Sequence, residues 1–286
     1  MRGKASFPVP HRSSLLTHRS IALVTGASAG IGEATARHLA AAGYRVIVSA
    51  RSAERLRALA AHLDGAHGAG TAHVLPFDVT DAAAHAEAIA GLPADWAAID
   101  VAVLNAGLAL NMVPVWENTV EEIDRMVDTN VKGVLYGFRA VVPGMLARRR
   151  GHIVTLGSIA GHGVYPGGAI YCATKHALLA LTEGLKLDLH GTPLRVSTVS
   201  PGLTETEFSL VRFEGDAARA APVYADTIPL TADDVAAAIL YVVQAPPHVN
   251  VSEVVMRPRV QSGLTAIARG AAAEPFRKGA EPGRAG

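Results

Sequence analysis

The chain has 286 residues, of which 50% are hydrophobic and 18% charged, a balance that suits one large α/β domain with a well-buried core. Its formal net charge is +1 with the basic residues scattered, so there is no nucleic-acid footprint, and no apolar run has the roughly 18 residues a membrane span needs. Val235–Val243 is the most apolar run and is too short. Cys172 is the single cysteine, which rules out an intrachain disulfide and points to a reducing, cytoplasmic setting.

In chain order, residues 1–18 carry Arg2, Lys4, His11, Arg12 and His18 with several serines and no acid. A transit peptide has that composition, but a disordered leader is the expectation here. Apolar strand patterns then alternate with helical ones, the mark of a parallel sheet wound on both faces. Strands are predicted at Ile21–Thr25, Arg45–Ala50, Ala72–Phe77, Val101–Asn105, His152–Leu156, Leu194–Ser200 and Ser252–Met256. Helices are predicted at Ile31–Ala42, Ala53–His62, Ala82–Ala90, Val120–Ala147, Ala169–His190 and Ala232–Ala245. All seven strands belong to one sheet in a single domain over residues 19–262. Right-handed crossovers give it doubly wound order and put the site at the carboxyl ends of the strands.

The first strand runs into Gly26-Ala27-Ser28-Ala29-Gly30-Ile31-Gly32. Glycines between a strand and a helix N-terminus allow a tight turn and close backbone approach to a pyrophosphate. At the end of the second strand an acid would select NAD by binding the ribose hydroxyls. Arg51 and Ser52 stand there instead, and a guanidinium pairs with a 2′-phosphate, so NADP is the expected cofactor. The plainer alternative is that Arg51 solvates a loop. Asp78-Val79 and Asn105-Ala106-Gly107 end the third and fourth strands, where the adenine and its ribose should lie.

Farther on, Tyr171 and Lys175 are i and i+4. On one helix face they sit about 5–6 Å apart at Cβ, and a Lys so placed favours a tyrosinate over its ordinary pKa of about 10. That would make Tyr171 a proton donor or acceptor for an alcohol/carbonyl pair. Cys172 points off that face and reads as a packing residue. Arg148-Arg149-Arg150 ends a long helix, where cations suit the macrodipole. His62, His67 and His73 lack the fixed, converging spacing of a metal site.

Gly202–Leu230 breaks the strand–helix rhythm and is long enough to be a lid over the site. It carries Arg212, for which two readings stand: a carboxylate clamp over the active site, or a surface ion pair with Glu205, Glu207 or Glu214. Residues 263–286 are expected to be a mobile tail, since Arg269–Gly286 is Ala, Gly, Pro and charge without a period.

Taken together, Thr25-Gly26-x-x-x-Gly30-x-Gly32, Asn105-Ala106-Gly107, Asn130, Ser158, Tyr171-x-x-x-Lys175 and Pro201-Gly202 resemble the short-chain dehydrogenase/reductase family over roughly residues 20–260. Leu104 departs from it, standing where a second Asn is usual. The resemblance implies a Rossmann fold and nicotinamide chemistry. Tyr171 would be the acid/base, with Lys175 binding the nicotinamide ribose and lowering the phenol pKa. Ser158 would hold the substrate oxygen and Asn130 anchor a water relay. Pro201, Gly202 and Thr204 would cover the nicotinamide carboxamide and pyrophosphate. A homotetramer or homodimer built on the helices Val120–Ala147 and Ala169–His190 is implied as well.

The segments Leu203–Asp216, Leu230–Val235, His248–Asn250 and Met256–Pro258 are similar to the NADP-dependent 3-hydroxy acid dehydrogenases. That subgroup acts on serine, allo-threonine and related small molecules. A general carbonyl or 3-oxoacyl reductase, and a catalytically idle NADP-sensing protein, are the competing expectations.

Overall fold

In the computed structural model, which describes residues 19–276, each short apolar run of the first half becomes a strand and each amphipathic run a helix. They alternate as β1 (Ile21–Thr25), α1 (Gly30–Ala41), β2 (Arg45–Ser49), α2 (Ala53–His67), β3 (Ala72–Val74), α3 (Ala82–Ala90) and β4 (Ile99–Leu104). After β4 come α4 (Val120–Val127), α5 (Gly133–Arg148), β5 (His152–Leu156), α6 (Ala169–Asp188) and β6 (Arg195–Pro201). The insert holds β7 (Thr204–Glu205), α7 (Phe208–Arg212), α8 (Ala217–Tyr224) and β8 (Leu230–Thr231), before α9 (Ala232–Gln244) and β9 (Glu253–Met256).

The strands form a 7-stranded parallel sheet in the order β3-β2-β1-β4-β5-β6-β9, while β7 and β8 pair with each other. Order reverses between β1 and β4, which leaves a crevice at the carboxyl ends. Successive strand residues face opposite sides of the sheet. Val24, Val48, Val103 and Val154 therefore pack under Leu39, Leu56 and Ile239 of α1, α2 and α9. Leu23, Ile47, Ala102 and Ile153 pack on the other side against Phe138, Met145 and Leu178 of α5 and α6. Both faces are dry, which is why the strands read as continuous apolar runs rather than alternating ones.

Three expectations change. β3 ends at Val74 rather than Phe77, because an edge strand has one neighbour and only Leu75 continues the ladder, donating to the Val48 carbonyl at 3.0 Å. The predicted helix Val120–Ala147 is α4 and α5 joined by a wide π turn over Asp128–Lys132. The insert 202–230 carries two short helices, α7 and α8. Residues 263–276, expected to be tail, fold back instead: Gln261 bridges to Ile267, and Arg269 donates to the carbonyls of Pro222, Val223 and Ala225. Those carbonyls are left free where α8 ends, and the guanidinium satisfies them. The predicted leader and residues 277–286 lie outside the described residues.

Two buried histidines make the fold acid-sensitive. His85 is 1% exposed, stacked on Phe77 at 4.6 Å, with no hydrogen-bond partner on either nitrogen. Burial pushes it down to about 4, and pushes His152, which meets Ser197 at 2.8 Å, down to about 3. Both pKa values are depressed in the folded state, so the unfolded chain binds protons first. Stability present above the ordinary pKa of 6.5 is then lost as pH falls toward 4 and below, by up to about 3 kcal/mol for His85. Denaturant titrations at pH 7 and 4.5 should show that loss, and His85→Leu should recover much of it. An undiminished loss in the variant would assign the acid sensitivity to other groups.

Candidate active site

The turn after β1 is shaped by glycine. Gly26 and Gly30 have φ of +66° and +55°, and a Cβ on Gly32 would stand 2.2 Å from the Gly26 carbonyl oxygen. Only glycine fits there, and the turn delivers the chain to the N-terminus of α1 with its N–H groups pointing into the crevice. Asn105 locks the turn to β4: its Nδ2 donates to the carbonyls of Thr25 at 2.9 Å and Gly26 at 3.3 Å. Its Oδ1 is buried without a protein partner. Leu104 is 3% exposed and packs into the sheet core, where Gly137 makes room for it.

At the end of β2, Arg51 is 74% exposed and reaches to 4.0 Å from the Asp78 carboxylate. Ser52 caps α2, accepting from the Arg55 N–H at 3.3 Å. Arg55 in turn pairs with Glu207 of the insert at 2.9 Å. Asp78 fixes its own turn by accepting from Thr80 N–H and Oγ1, both at 2.9 Å, and Val79 abuts Gly133. At the far end, Gly202 donates to the Met256 carbonyl at 2.7 Å and the Thr204 hydroxyl donates to the Gly202 carbonyl at 3.0 Å.

A cleft of ≈ 810 Å³ runs between these ends. It is lined by Gly26, Ser28, Gly30, Ile31, Arg51, Ser52, Asp78, Val79, Asn105, Ala106 and Gly107 on one side and by Ser158, Tyr171, Lys175, Pro201, Gly202, Thr204 and Arg212 on the other. Gly32 and Asn130 stand behind the lining. Asn130 sits in the π turn, 1% exposed. It accepts from the Leu108 N–H at 2.8 Å and donates to the Leu108 carbonyl at 2.7 Å and to Thr174 Oγ1 at 3.0 Å. The extra residue of a π turn is what turns this amide out of the helix.

Tyr171 and Lys175 share the first turns of α6 as their spacing predicts. Ser158 follows β5 and caps a short 3-10 turn, accepting from the Ala160 N–H at 3.1 Å, which leaves its own proton free to donate. One electrostatic expectation is corrected. Burial dominates at Tyr171 and pushes the phenol up to about 12, opposed first by the Arg212 charge and then by a hydrogen bond from Ser158. The leading charge on it is Arg212 rather than Lys175. Its Nζ is 5.8 Å from the ring centre and donates to the Leu156 carbonyl at 2.8 Å, and burial pushes the ammonium down to about 8.

Arg212 is 9% exposed, on α7, among aromatic rings. Its guanidinium carbon is 5.1 Å from the Phe208 ring centre, 5.4 Å from Tyr171 and 6.0 Å from Tyr165. Nη2 donates to the Tyr165 hydroxyl at 3.0 Å, Nη1 approaches Met112 Sδ at 3.9 Å, and Nε is buried without a partner. The surface ion-pair reading does not hold, since Glu207 pairs with Arg55 and Glu214 with Arg125. Residues 20–216 match the family model for short chain dehydrogenases.

The chain belongs to the short-chain dehydrogenase family. It is an oxidoreductase acting on CH–OH groups. A curated NADP-dependent 3-hydroxy acid dehydrogenase of Escherichia coli (strain K12) is 44% identical, over 85% of this chain and 96% of that protein. A serine 3-dehydrogenase of Agrobacterium fabrum is 41% identical over 84% and 94%. Among solved structures, the closed form of a serine dehydrogenase complexed with NADP+ superimposes with a TM-score of 0.82 at 44% identity, over 85% of this chain and 96% of that one.

Within this short-chain dehydrogenase, sequence reasoning passed over two residues that shape the site. Tyr165 holds Arg212, and Phe208 closes over Tyr171 with ring centres 5.7 Å apart. Tyr165 sits in the loop just before α6, and Phe208 and Arg212 are i and i+4 on α7, which was the available signal. No metal-binding group of His, Cys, Asp or Glu occurs among the described residues, and no helix there is long and apolar enough to cross a membrane.

Proposed function

We propose that this enzyme interconverts the 3-hydroxyl of a small 3-hydroxy acid, of the serine, allo-threonine or 3-hydroxybutyrate kind, and the corresponding carbonyl, using NADP. The observation that carries this is Arg212: a cation buried beside Tyr171, with one N–H unpartnered and no carboxylate among its protein partners. A guanidinium in that setting favours a carboxylate ligand, because the fork of donors is already ordered and partly desolvated. The names of the relatives from Escherichia coli and Agrobacterium agree with this substrate class.

The chain's residues fit the dinucleotide. The Gly26–Gly32 turn gives a backbone cradle that a Cβ would fill, the buried Asn105 Oδ1 is an acceptor awaiting a donor, and Arg51 and Arg55 line the end where a 2′-phosphate would lie. NADP(H), when bound, supplies the hydride acceptor or donor at its nicotinamide ring. In oxidation the Tyr171 oxygen takes the proton of the substrate hydroxyl while the carbinol hydrogen leaves with its electron pair, and a C=O bond forms. Ser158 donates to the substrate oxygen and holds it facing Tyr171. Lys175 would bind the nicotinamide ribose, and Asn130, bonded to Leu108 and Thr174, would anchor the proton relay. Pro201, Gly202 and Thr204 cover the nicotinamide side, and the insert 202–230 acts as the lid that brings Arg212 down.

Turnover with NADP+ on serine, allo-threonine, 3-hydroxybutyrate and uncharged secondary alcohols tests this reading. Preference for the acids supports it, and equal or better use of the uncharged alcohols replaces it with a general carbonyl reductase. Cofactor choice has its own test. Arg51→Asp should weaken NADP(H) and raise the relative use of NAD(H), since attraction to the phosphate becomes repulsion. If the ratio of kcat/KM for the two cofactors hardly moves, Arg55 is the discriminator instead. A homotetramer or homodimer is proposed too, on α5 and α6, which leave Leu135, Leu146 and Leu187 exposed; light scattering after gel filtration measures it. The single, buried Cys172 agrees with a cytoplasmic setting.

A further inference from the structure

Arg212 faces two ways. On one side it lines the cleft, and toward α6 its guanidinium carbon lies over the ring of Tyr171 at 5.4 Å. One cation therefore neighbours both the position assigned to the substrate carboxylate and the phenol that exchanges the proton. We propose that Arg212 couples the charge of the substrate to the proton affinity of Tyr171, so that a bound carboxylate makes the phenol hold its proton more tightly than a neutral alcohol does. This rests on the 3-hydroxy acid reading above and adds a consequence which that reading does not require.

The sign follows from the arrangement. A free guanidinium stabilises the phenolate, and of the charges around Tyr171 it is the leading one. A carboxylate paired with it cancels much of that field, so the phenolate loses support. An opposite charge at this range moves a pKa by about 1–3 units, and partial cancellation should give back about one unit. The other groups facing Tyr171 do not distinguish the two substrates. Ser158, from the turn after β5, hydrogen-bonds Tyr171 in the free enzyme and would turn its proton to the oxygen of either substrate alike. Tyr165, from the loop before α6, and Cys172 on α6 are both raised by burial, and they face Tyr171 alike with either substrate. Lys175, on α6, is lowered to about 8 and titrates nearby, but it hydrogen-bonds the Leu156 carbonyl and not Arg212. It shifts both profiles alike. Phe208, on α7, carries no charge.

Oxidation needs the phenolate, so its rate rises with pH along the Tyr171 titration. The experiment is the first-turnover rate of NADPH formation, by stopped flow, from pH 6 to 10.5 at saturating substrate and NADP+. The oxidised nicotinamide would bring a positive charge that lowers the Tyr171 midpoint from about 12 in the cofactor-free enzyme. The substrates are 3-hydroxybutyrate and an uncharged counterpart, its methyl ester or 1,3-butanediol. In the parent enzyme the half-maximal pH should lie about one unit higher for the acid. Arg212→Met should raise the midpoint of the uncharged substrate at least to that of the acid in the parent, and Arg212→Lys should raise it less. Coincident midpoints in the parent overturn the coupling, and that comparison needs no variant to fold. If Arg212→Met raises KM for the acid while the midpoints coincide, the clamp stands and the coupling falls. If KM for the acid does not respond, the clamp itself falls.

Discussion

Tyr171→Phe should lower turnover by about 10²–10⁴-fold and leave NADP(H) affinity within a few-fold of the parent. The substitution removes one oxygen and keeps the ring, which packs against Phe208 and against Leu108, Leu110 and Met126. The packing that builds the cleft therefore survives, and what disappears is the atom that takes the alcohol proton. Titration of NADPH fluorescence on the variant checks binding, and steady-state assays check rate. Residual activity within about tenfold of the parent would mean that another group takes the proton. A loss of cofactor binding as large as the loss of rate would mean that the phenol mainly shapes the site.

The parts of the molecule legible in its sequence are those set by local chemistry or by dryness. Leu23 and Val24 could each be placed in a core without knowing which, because a strand covered on both faces is apolar at every position. Gly26, Gly30 and Gly32 announced the turn, because glycine takes the positive φ of the first two without strain and is the one residue with no Cβ to meet the 2.2 Å approach at the third. Tyr171 and Lys175 came together because helical spacing alone brings i and i+4 to one face. What failed to show depends on contacts distant in sequence. The π turn at Asn130 is invisible because the apolar pattern runs on through residues 120–147, and what marks it is the bond Asn130 accepts from Leu108 and the one it donates to Thr174. Lys175 points where it does because the Leu156 carbonyl, on another strand, receives it. Residues 263–276 have a tail's composition, and they are held by a guanidinium on three carbonyls rather than by an apolar stripe. Arg212 could be suspected of binding a carboxylate, but of its enclosure by three aromatic side chains only the i, i+4 spacing to Phe208 left a trace in the sequence.

That enclosure sets the size of the last expected result. Arg212→Met should raise the KM for serine or 3-hydroxybutyrate by about ten- to a hundredfold or more, the equivalent of the roughly 1.5–3 kcal/mol that a charge-assisted hydrogen bond contributes. Methionine keeps an apolar chain of similar reach among Phe208, Tyr165 and Tyr171, so the packing of α7 on the site is disturbed little. The bond from Asn111 N–H to the Arg212 carbonyl, at 2.8 Å, belongs to the backbone and is retained. Measured on the alkaline plateau, where Tyr171 is ionised whatever its neighbour, an uncharged alcohol of similar size should show nearly unchanged kcat and KM. The contrast between the two substrates isolates the carboxylate from everything else the side chain does. Equal losses on both would make Arg212 a brace for the insert and would return the enzyme to the class of general carbonyl reductases.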